Sequence, residues 1–197
     1  MKKKKHKTNT DQAGFNKKQI TVAVSGGFDP LHIGHIRMFK EAKKLGTYLV
    51  VILNNDNWLK QKKGFVFMGE GERKEIIEAI AWVDRVIITR HPKNPIDMSV
   101  AKELQKIQPH IFANGGDRKP GNLPTAEEVV CKKINCHMVY SIGVGGKVQS
   151  SSFLATRFIN DVLEKRVCPC GSGKPFTECG LKRTKNHTQN LRKMLNR

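Results

Sequence analysis

The stretch Val24-Ser25-Gly26-Gly27-Phe28-Asp29-Pro30-Leu31-His32-Ile33-Gly34-His35 constrains this chain more than any other. It follows Ile20-Thr21-Val22-Ala23-Val24, an apolar, β-branched run that reads as a buried strand. After it, Ile36, Phe39, Ala42 and Leu45 recur at helical spacing up to Gly46. The order is therefore strand, glycine turn, two histidines, helix. Gly26 and Gly27 lack a Cβ, so backbone N–H groups can approach a bulky anion closely. The helix start that follows adds unsatisfied donors and the positive end of a dipole. His32 and His35 lie three apart around Gly34, so both imidazoles can turn toward one phosphate. These parts suit binding a polyphosphate and stabilising charge that develops on it.

The rest of the chain repeats the strand–helix alternation. Tyr48-Leu49-Val50-Val51-Ile52-Leu53 reads as a second buried strand, and a strand–helix–strand unit of this length is a right-handed parallel crossover. Ligands then bind at the carboxyl ends of the strands, where the histidine turn lies. Residues 59–69 read as a loop carrying Lys60, Lys62 and Lys63, and Arg73 opens the next helix. Residues 83–88 supply a third strand, Ser99 is the expected cap of a helix with Val100, Leu104 and Ile107, and residues 110–113 form a fourth strand. That strand leads into Asn114-Gly115-Gly116-Asp117-Arg118, which by itself reads only as a turn. Thr125 and Glu128 have capping-box spacing, residues 137–140 form a fifth strand, and Ser150-Ser151-Ser152 begins a last helix. The pattern predicts an α/β fold, a doubly wound, parallel five-stranded Rossmann-like sheet, over residues 19–164.

Charge sits mainly at the two ends. The formal net charge is +19, with seven Lys and one acid in residues 1–18, and nine Lys or Arg and two acids in residues 162–197. Residues 1–18 read as a disordered basic tail, and basic ends of this kind fit polyanions such as nucleic acid, ribosomes or acidic membranes. Solvated charge without a partner is the plainer reading. No apolar run approaches the length of a membrane span, and none follows the first lysines as in a secretory signal. The expected setting is cytoplasmic, where five cysteines point to metal binding or burial before disulfides. Cys131 and Cys136, lacking two further ligands nearby, read as buried thiols.

Gly-Gly-Phe-Asp-Pro-Leu-His-Ile-Gly-His resembles the His-x-Gly-His signature of the nucleotidyltransferase superfamily, the cytidylyltransferases and their adenylyltransferase relatives. The resemblance runs from about Ile20 to Leu163. Glu-Gly-Glu-Arg73 with Val83-Asp84 beyond it is similar to the family's Glu-x-Arg helix and Val-Asp strand entry. Gly115-Gly116-Asp117 is similar to the heptose-1-phosphate adenylyltransferases, and the lysine cluster to glycerol-3-phosphate cytidylyltransferases. Ser150-Ser151-Ser152 stands where such proteins bind nucleotide phosphate. Some relatives carry a basic residue where this chain has Ala155, and Arg157 is the nearest substitute.

The resemblance implies attack by a substrate phosphate on the α-phosphorus of a nucleoside triphosphate, with pyrophosphate leaving and Mg2+ accompanying the triphosphate. His32 and His35 would stabilise the transition state, Lys63 would clamp the transferred phosphates, and Arg73 would be an anion ligand. Gly26, Gly27, Phe28, Asp29, Gly34, Gly115, Gly116, Asp117 and the three serines would surround the nucleotide, with Asp29 organising the histidine turn. Asp56 would either hold a ribose hydroxyl or cap its strand. ATP with a heptose-1-phosphate-like acceptor is the leading expectation, and CTP with glycerol 3-phosphate or a similar alcohol phosphate the second. A homodimer is compatible with either. A different class, a nucleic-acid- or ribosome-binding protein on an idle scaffold, draws on the basic ends, and intact His32, His35 and Arg73 argue against it. A class I tRNA synthetase also carries the histidine turn but needs a longer chain and a Lys-rich signature loop.

Cys168-Pro-Cys170-Gly-Ser-Gly-Lys-Pro-Phe-Thr-Glu-Cys179 resembles the SEC-C zinc motif. Gly180 stands where the fourth ligand is expected; His187 is the nearest substitute, and water or a vestigial site are the alternatives. Residues 165–197 thus read as a small zinc-knuckle appendage and basic tail, holding Zn2+ through Cys168, Cys170, Cys179 and His187.

Overall fold

The computed structural model describes residues 19–116, 118–143 and 150–157, together with 174 and 178. The basic tail 1–18, Asp117 and the proposed zinc ligands Cys168, Cys170, Cys179 and His187 lie outside the described residues. Five parallel strands, β1 (Thr21–Gly26), β2 (Tyr48–Leu53), β3 (Arg85–Ile88), β4 (Ile111–Gly115) and β5 (His137–Ile142), form one sheet in the order β3-β2-β1-β4-β5. The chain winds outward from β1 to β3, then returns past β1 to build β4 and β5. The direction reverses between β1 and β4, which opens a crevice at their carboxyl ends.

Alternation along the strands fills two separate cores. Val22, Val24, Leu49, Val51 and Leu53 pack with Met38, Phe39 and Ala42 of α1 (Ile33–Lys44) and Ile77 of α3 (Glu70–Glu78). Ala23, Ile52 and Phe112 pack on the other face with Leu104 of α4 (Ala101–Ile107) and Cys131 of α5 (Thr125–Lys133). This is the doubly wound sandwich expected, with helices on both faces. Cys131 and Cys136 are free, buried thiols in the second core. Asp84 locks the entry to β3, accepting the Leu49 N–H at 2.6 Å and pairing with Lys43.

Local details depart from the sequence reading. Residues 56–63 form a helix, α2 (Asp56–Lys63), where a loop was expected from Leu59 onward. Asn55 caps it, its Oδ1 accepting the Trp58 N–H at 3.1 Å, and Gly64 ends it at φ 82°. Ser99 does not cap α4. The N-cap position is Val100, with no side-chain cap, and its N–H goes to Glu127 Oε1 on α5 at 3.0 Å, which ties the start of α4 to the neighbouring helix. The Thr125–Glu128 capping box is not formed either, because Glu128 Oε1 accepts from Gly121 N and the helix starts behind Pro124. β5 continues two residues beyond Tyr140, and β3 begins two after Val83.

Candidate active site

The crevice is lined from both sides of the switch point. A cavity of about 290 Å3 is bordered by residues 25–28, His32, Gly34, His35, Met38, Trp58, Lys62, Lys63, residues 114–116, Arg118 and residues 150–152. Of the sequence-predicted site residues, the histidines, Lys63, Gly26, Gly27, Phe28, Gly34, Gly115, Gly116 and the three serines therefore meet at one place. Asp29 and Arg73 do not border it. Met38 and Trp58 do, and no motif marked them. Trp58 stands four residues before Lys62, but that spacing carries meaning only once residues 56–63 are known to be helical.

The glycines of the turn make room for side chains as well as for a ligand. A Cβ on Gly26 would lie 2.8 Å from Phe28 Cζ, and one on Gly27 would lie 2.7 Å from Leu59 Cδ2. Phe28 occupies the left-handed region at φ 49°, a costly conformation for a bulky residue. Its ring is buried edge-on against His35 and Phe39, at centroid distances of 5.0 and 5.1 Å. Packing thus holds the turn in a shape its backbone would not choose. Asp29, fully buried, ties the turn to the segment after α2. Its carboxylate accepts the N–H groups of Phe67 at 2.9 Å and Met68 at 2.7 Å, and its carbonyl accepts Lys63 Nζ at 2.6 Å.

The two histidines are held as a stacked pair, ring centroids 3.7 Å apart and planes 22° apart. His32 Nδ1 accepts the Gly34 N–H at 3.1 Å, and His35 Nδ1 accepts the His32 N–H at 3.3 Å. Each Nδ1 therefore carries no proton, and the neutral ring bears its hydrogen on Nε2. Burial pushes the His35 pKa down to about 3, helped by His32 and Lys63. Burial, and then Lys63, also lowers His32. Both rings are neutral at pH 7, each with one N–H donor not used by the turn. Such donors stabilise charge that grows on an anion without adding a second buried cation beside Lys63. Burial likewise lowers the Lys63 ammonium, with Asp29 opposing the shift and Arg73 adding to it.

Arg73 sits behind the turn. It is fully buried, on the fourth residue of α3, and its guanidinium donates to Gly27 O at 2.6 Å, Asn54 O at 2.8 Å, Met68 O at 2.9 Å and Asp56 Oδ1 at 2.7 Å. Asp56, given either a ribose or a capping role from the sequence, is its ion-pair partner. Arg73 thus braces the carboxyl ends of β1 and β2. On the far wall, Ser150 Oγ accepts the Phe153 N–H at 3.0 Å and begins the helical residues 151–157. Ser151 Oγ donates to Pro30 O at 3.0 Å, joining this segment to the histidine turn. Ala155 is buried and Arg157 exposed, and neither borders the cavity.

Residues 23–136 match the family model described as Cytidylyltransferase-like. An FAD synthase of Thermococcus sibiricus is 37% identical over 124 residues, covering 62% of this chain and 80% of that protein. The bifunctional protein HldE of Pelobacter propionicus is 31% identical over 146 residues, covering 73% of this chain but 26% of HldE. Among solved structures, a lipopolysaccharide core biosynthesis protein from Thermoplasma volcanium superposes with a TM-score of 0.53 at 29% identity. That match covers 64% of this chain and 97% of the other.

Proposed function

Because this chain belongs to the cytidylyltransferase-like family and is a nucleotidyltransferase, we propose that it transfers an adenylyl group from ATP to the phosphate of a small phosphorylated acceptor. An acceptor phosphate oxygen attacks the α-phosphorus of ATP, the bond to the β-phosphate oxygen breaks, and pyrophosphate leaves. The carrying observation is the neutral histidine pair, with both Nδ1 atoms engaged by backbone and both rings at the cavity. Their Nε2–H groups donate to the phosphoryl oxygens as charge shifts onto the leaving group. Lys63 supplies a positive charge beside them, and residues 150–152 hold nucleotide phosphate. Arg73 acts through the turn that it braces, as a positioning residue.

Mg2+ would come bound to the triphosphate. The described cavity lining contains no carboxylate, and Asp29 spends both its oxygens on Phe67 and Met68. Among the described residues, no helix is long and apolar enough to cross a membrane.

The choice of ATP draws on the relative named FAD synthase, since FAD has an adenylate half, and on the likeness of Gly115-Gly116-Asp117 to the heptose-1-phosphate adenylyltransferases. A heptose-1-phosphate-like sugar and FMN are accordingly the first acceptors to try. CTP with glycerol 3-phosphate is the second reading, favoured by the lysines of α2 at the cavity. The test is pyrophosphate release across four nucleoside triphosphates and a panel of sugar, polyol and flavin phosphates. ATP should give the highest kcat/KM with its preferred acceptor, and a consistent advantage for CTP would establish the second reading instead.

The appendage is a separate proposal, resting on sequence spacing alone. Cys168, Cys170 and Cys179 would supply thiolates to Zn2+, with His187 as fourth ligand, and the basic ends would bind a polyanion such as nucleic acid or the ribosome. Zinc near one equivalent is expected in the full chain purified without chelator, measured by elemental analysis. Its absence refutes the site.

A further inference from the structure

Trp58 borders the cavity with a large ring that the transfer chemistry does not use and that is not packed into the core as Phe28 is. Its backbone is set by the Asn55 cap, and its indole Nε1–H donates to Met98 O at 2.8 Å. On the opposite edge of the indole, Cζ3 lies 3.5 Å from the position a Cβ on Gly27 would take. The Nε1 edge is thus fixed at the segment ahead of α4, and the other edge lies beside the glycine turn. With its N–H edge engaged, the half-buried ring offers the cavity that it borders an apolar aromatic surface. One turn further along α2, Lys62 lies on the same side of the helix and borders the same cavity. Leu59, between them, points into the core and packs under Gly27.

A fixed π-face with a cation one turn away is suited to a flat heteroaromatic ring attached to a phosphate. An open-chain polyol phosphate would satisfy Lys62 and leave the indole face against water. We propose that Trp58 contacts substrate directly and selects for a flat heteroaromatic ring, carried either by the nucleotide or by the acceptor. This inference rests on the reading of the cavity as a nucleotidyl-transfer site. It deepens that reading by assigning Trp58 to whichever substrate carries the ring.

Binding to the full-length protein tests the proposal without relying on turnover. The chain has two tryptophans, and Trp82 stands apart with its ring 5.4 Å from Lys40 Nζ. A Trp82→Phe background therefore leaves Trp58 as the only indole reporter. The probes are α,β-methylene-ATP, α,β-methylene-CTP, FMN and glycerol 3-phosphate. At least one of the three heteroaromatic probes should quench Trp58 fluorescence. Trp58→Ala should weaken that probe by about tenfold or more in calorimetric titration, while Trp58→Phe stays within about threefold of the parent. Glycerol 3-phosphate should bind the parent and both variants alike. Loss for either nucleotide analogue assigns the ring to the nucleobase, and loss for FMN alone assigns it to the acceptor. Unchanged affinity for all three in Trp58→Ala overturns the stacking role and leaves the transfer reading standing. Equal weakening of glycerol 3-phosphate also overturns it, by showing a general structural defect. A parent that binds neither α,β-methylene-ATP nor α,β-methylene-CTP sinks the transfer reading and the stacking role together.

Discussion

His35→Ala should lower kcat by about a hundredfold or more while changing the dissociation constant for ATP only a few-fold. The variant removes a donor held in place by stacking on His32 and by edge contact with Phe28. That donor acts on charge which grows only as the α-phosphorus is attacked, so turnover suffers more than ground-state binding. Single-turnover kinetics and equilibrium titration separate the two effects. Equal turnover in variant and parent, with an intact circular dichroism spectrum, contradicts the role. The depressed pKa adds a second readout. The ring resonances of His35 should show no titration by NMR between pH 8 and 5, because protonation waits until about pH 3. The sign for stability follows from the same shift. Unfolded histidine takes up a proton near pH 6.5 and the folded site does not. The contribution of His35 to stability is thus complete above pH 6.5 and declines as the pH falls from there toward 3.

Arg73→Ala should destabilise the fold by about 3 to 5 kcal/mol, the order expected for emptying a fully buried site and leaving several acceptors without a donor. The variant leaves the carbonyls of Gly27, Asn54 and Met68 without this donor and opens a cavity the size of the side chain. In a chain of this length the loss corresponds to a fall in Tm of roughly 10 °C. Arg73→Lys should not rescue it, because one ammonium cannot reach four acceptors spread around a planar guanidinium. Thermal and urea denaturation provide the measurement. A variant as stable as the parent but with a much higher KM for ATP would return Arg73 to the anion-binding role expected from the sequence.

Arg73 shows where reading the sequence stops. A cation near a helix start looks like a ligand for an anion, but the acceptors it meets are backbone carbonyls at the ends of β1 and β2. Those appear only once the strands are paired. The strands themselves were legible, because runs such as Leu49 to Leu53 are buried on both faces and carry an unbroken apolar signal. The histidine turn was legible because glycines, histidines and helix start are contiguous. Helix α2 was not, since Leu59 is its only buried residue and its polar remainder resembles a loop. The start of α4 was hidden for a related reason: the acceptor of the Val100 N–H, Glu127, lies 27 residues away on α5. Pairings of that kind are set by tertiary packing and have no local spacing to read. The same limit applies to Trp58, whose place at the cavity depends on a helix the sequence did not announce.

The central claim is cleavage at the α-phosphorus within the cavity of the histidine pair. It is tested most directly with ATP radiolabelled at the α-phosphate, supplied with Mg2+ and the acceptor panel. The account predicts label in the phosphorylated acceptor and pyrophosphate in equal amount, both lost together in His35→Ala. Label retained in ADP with phosphate passed to the acceptor, or no labelled product with any acceptor and any of the four triphosphates, would contradict it.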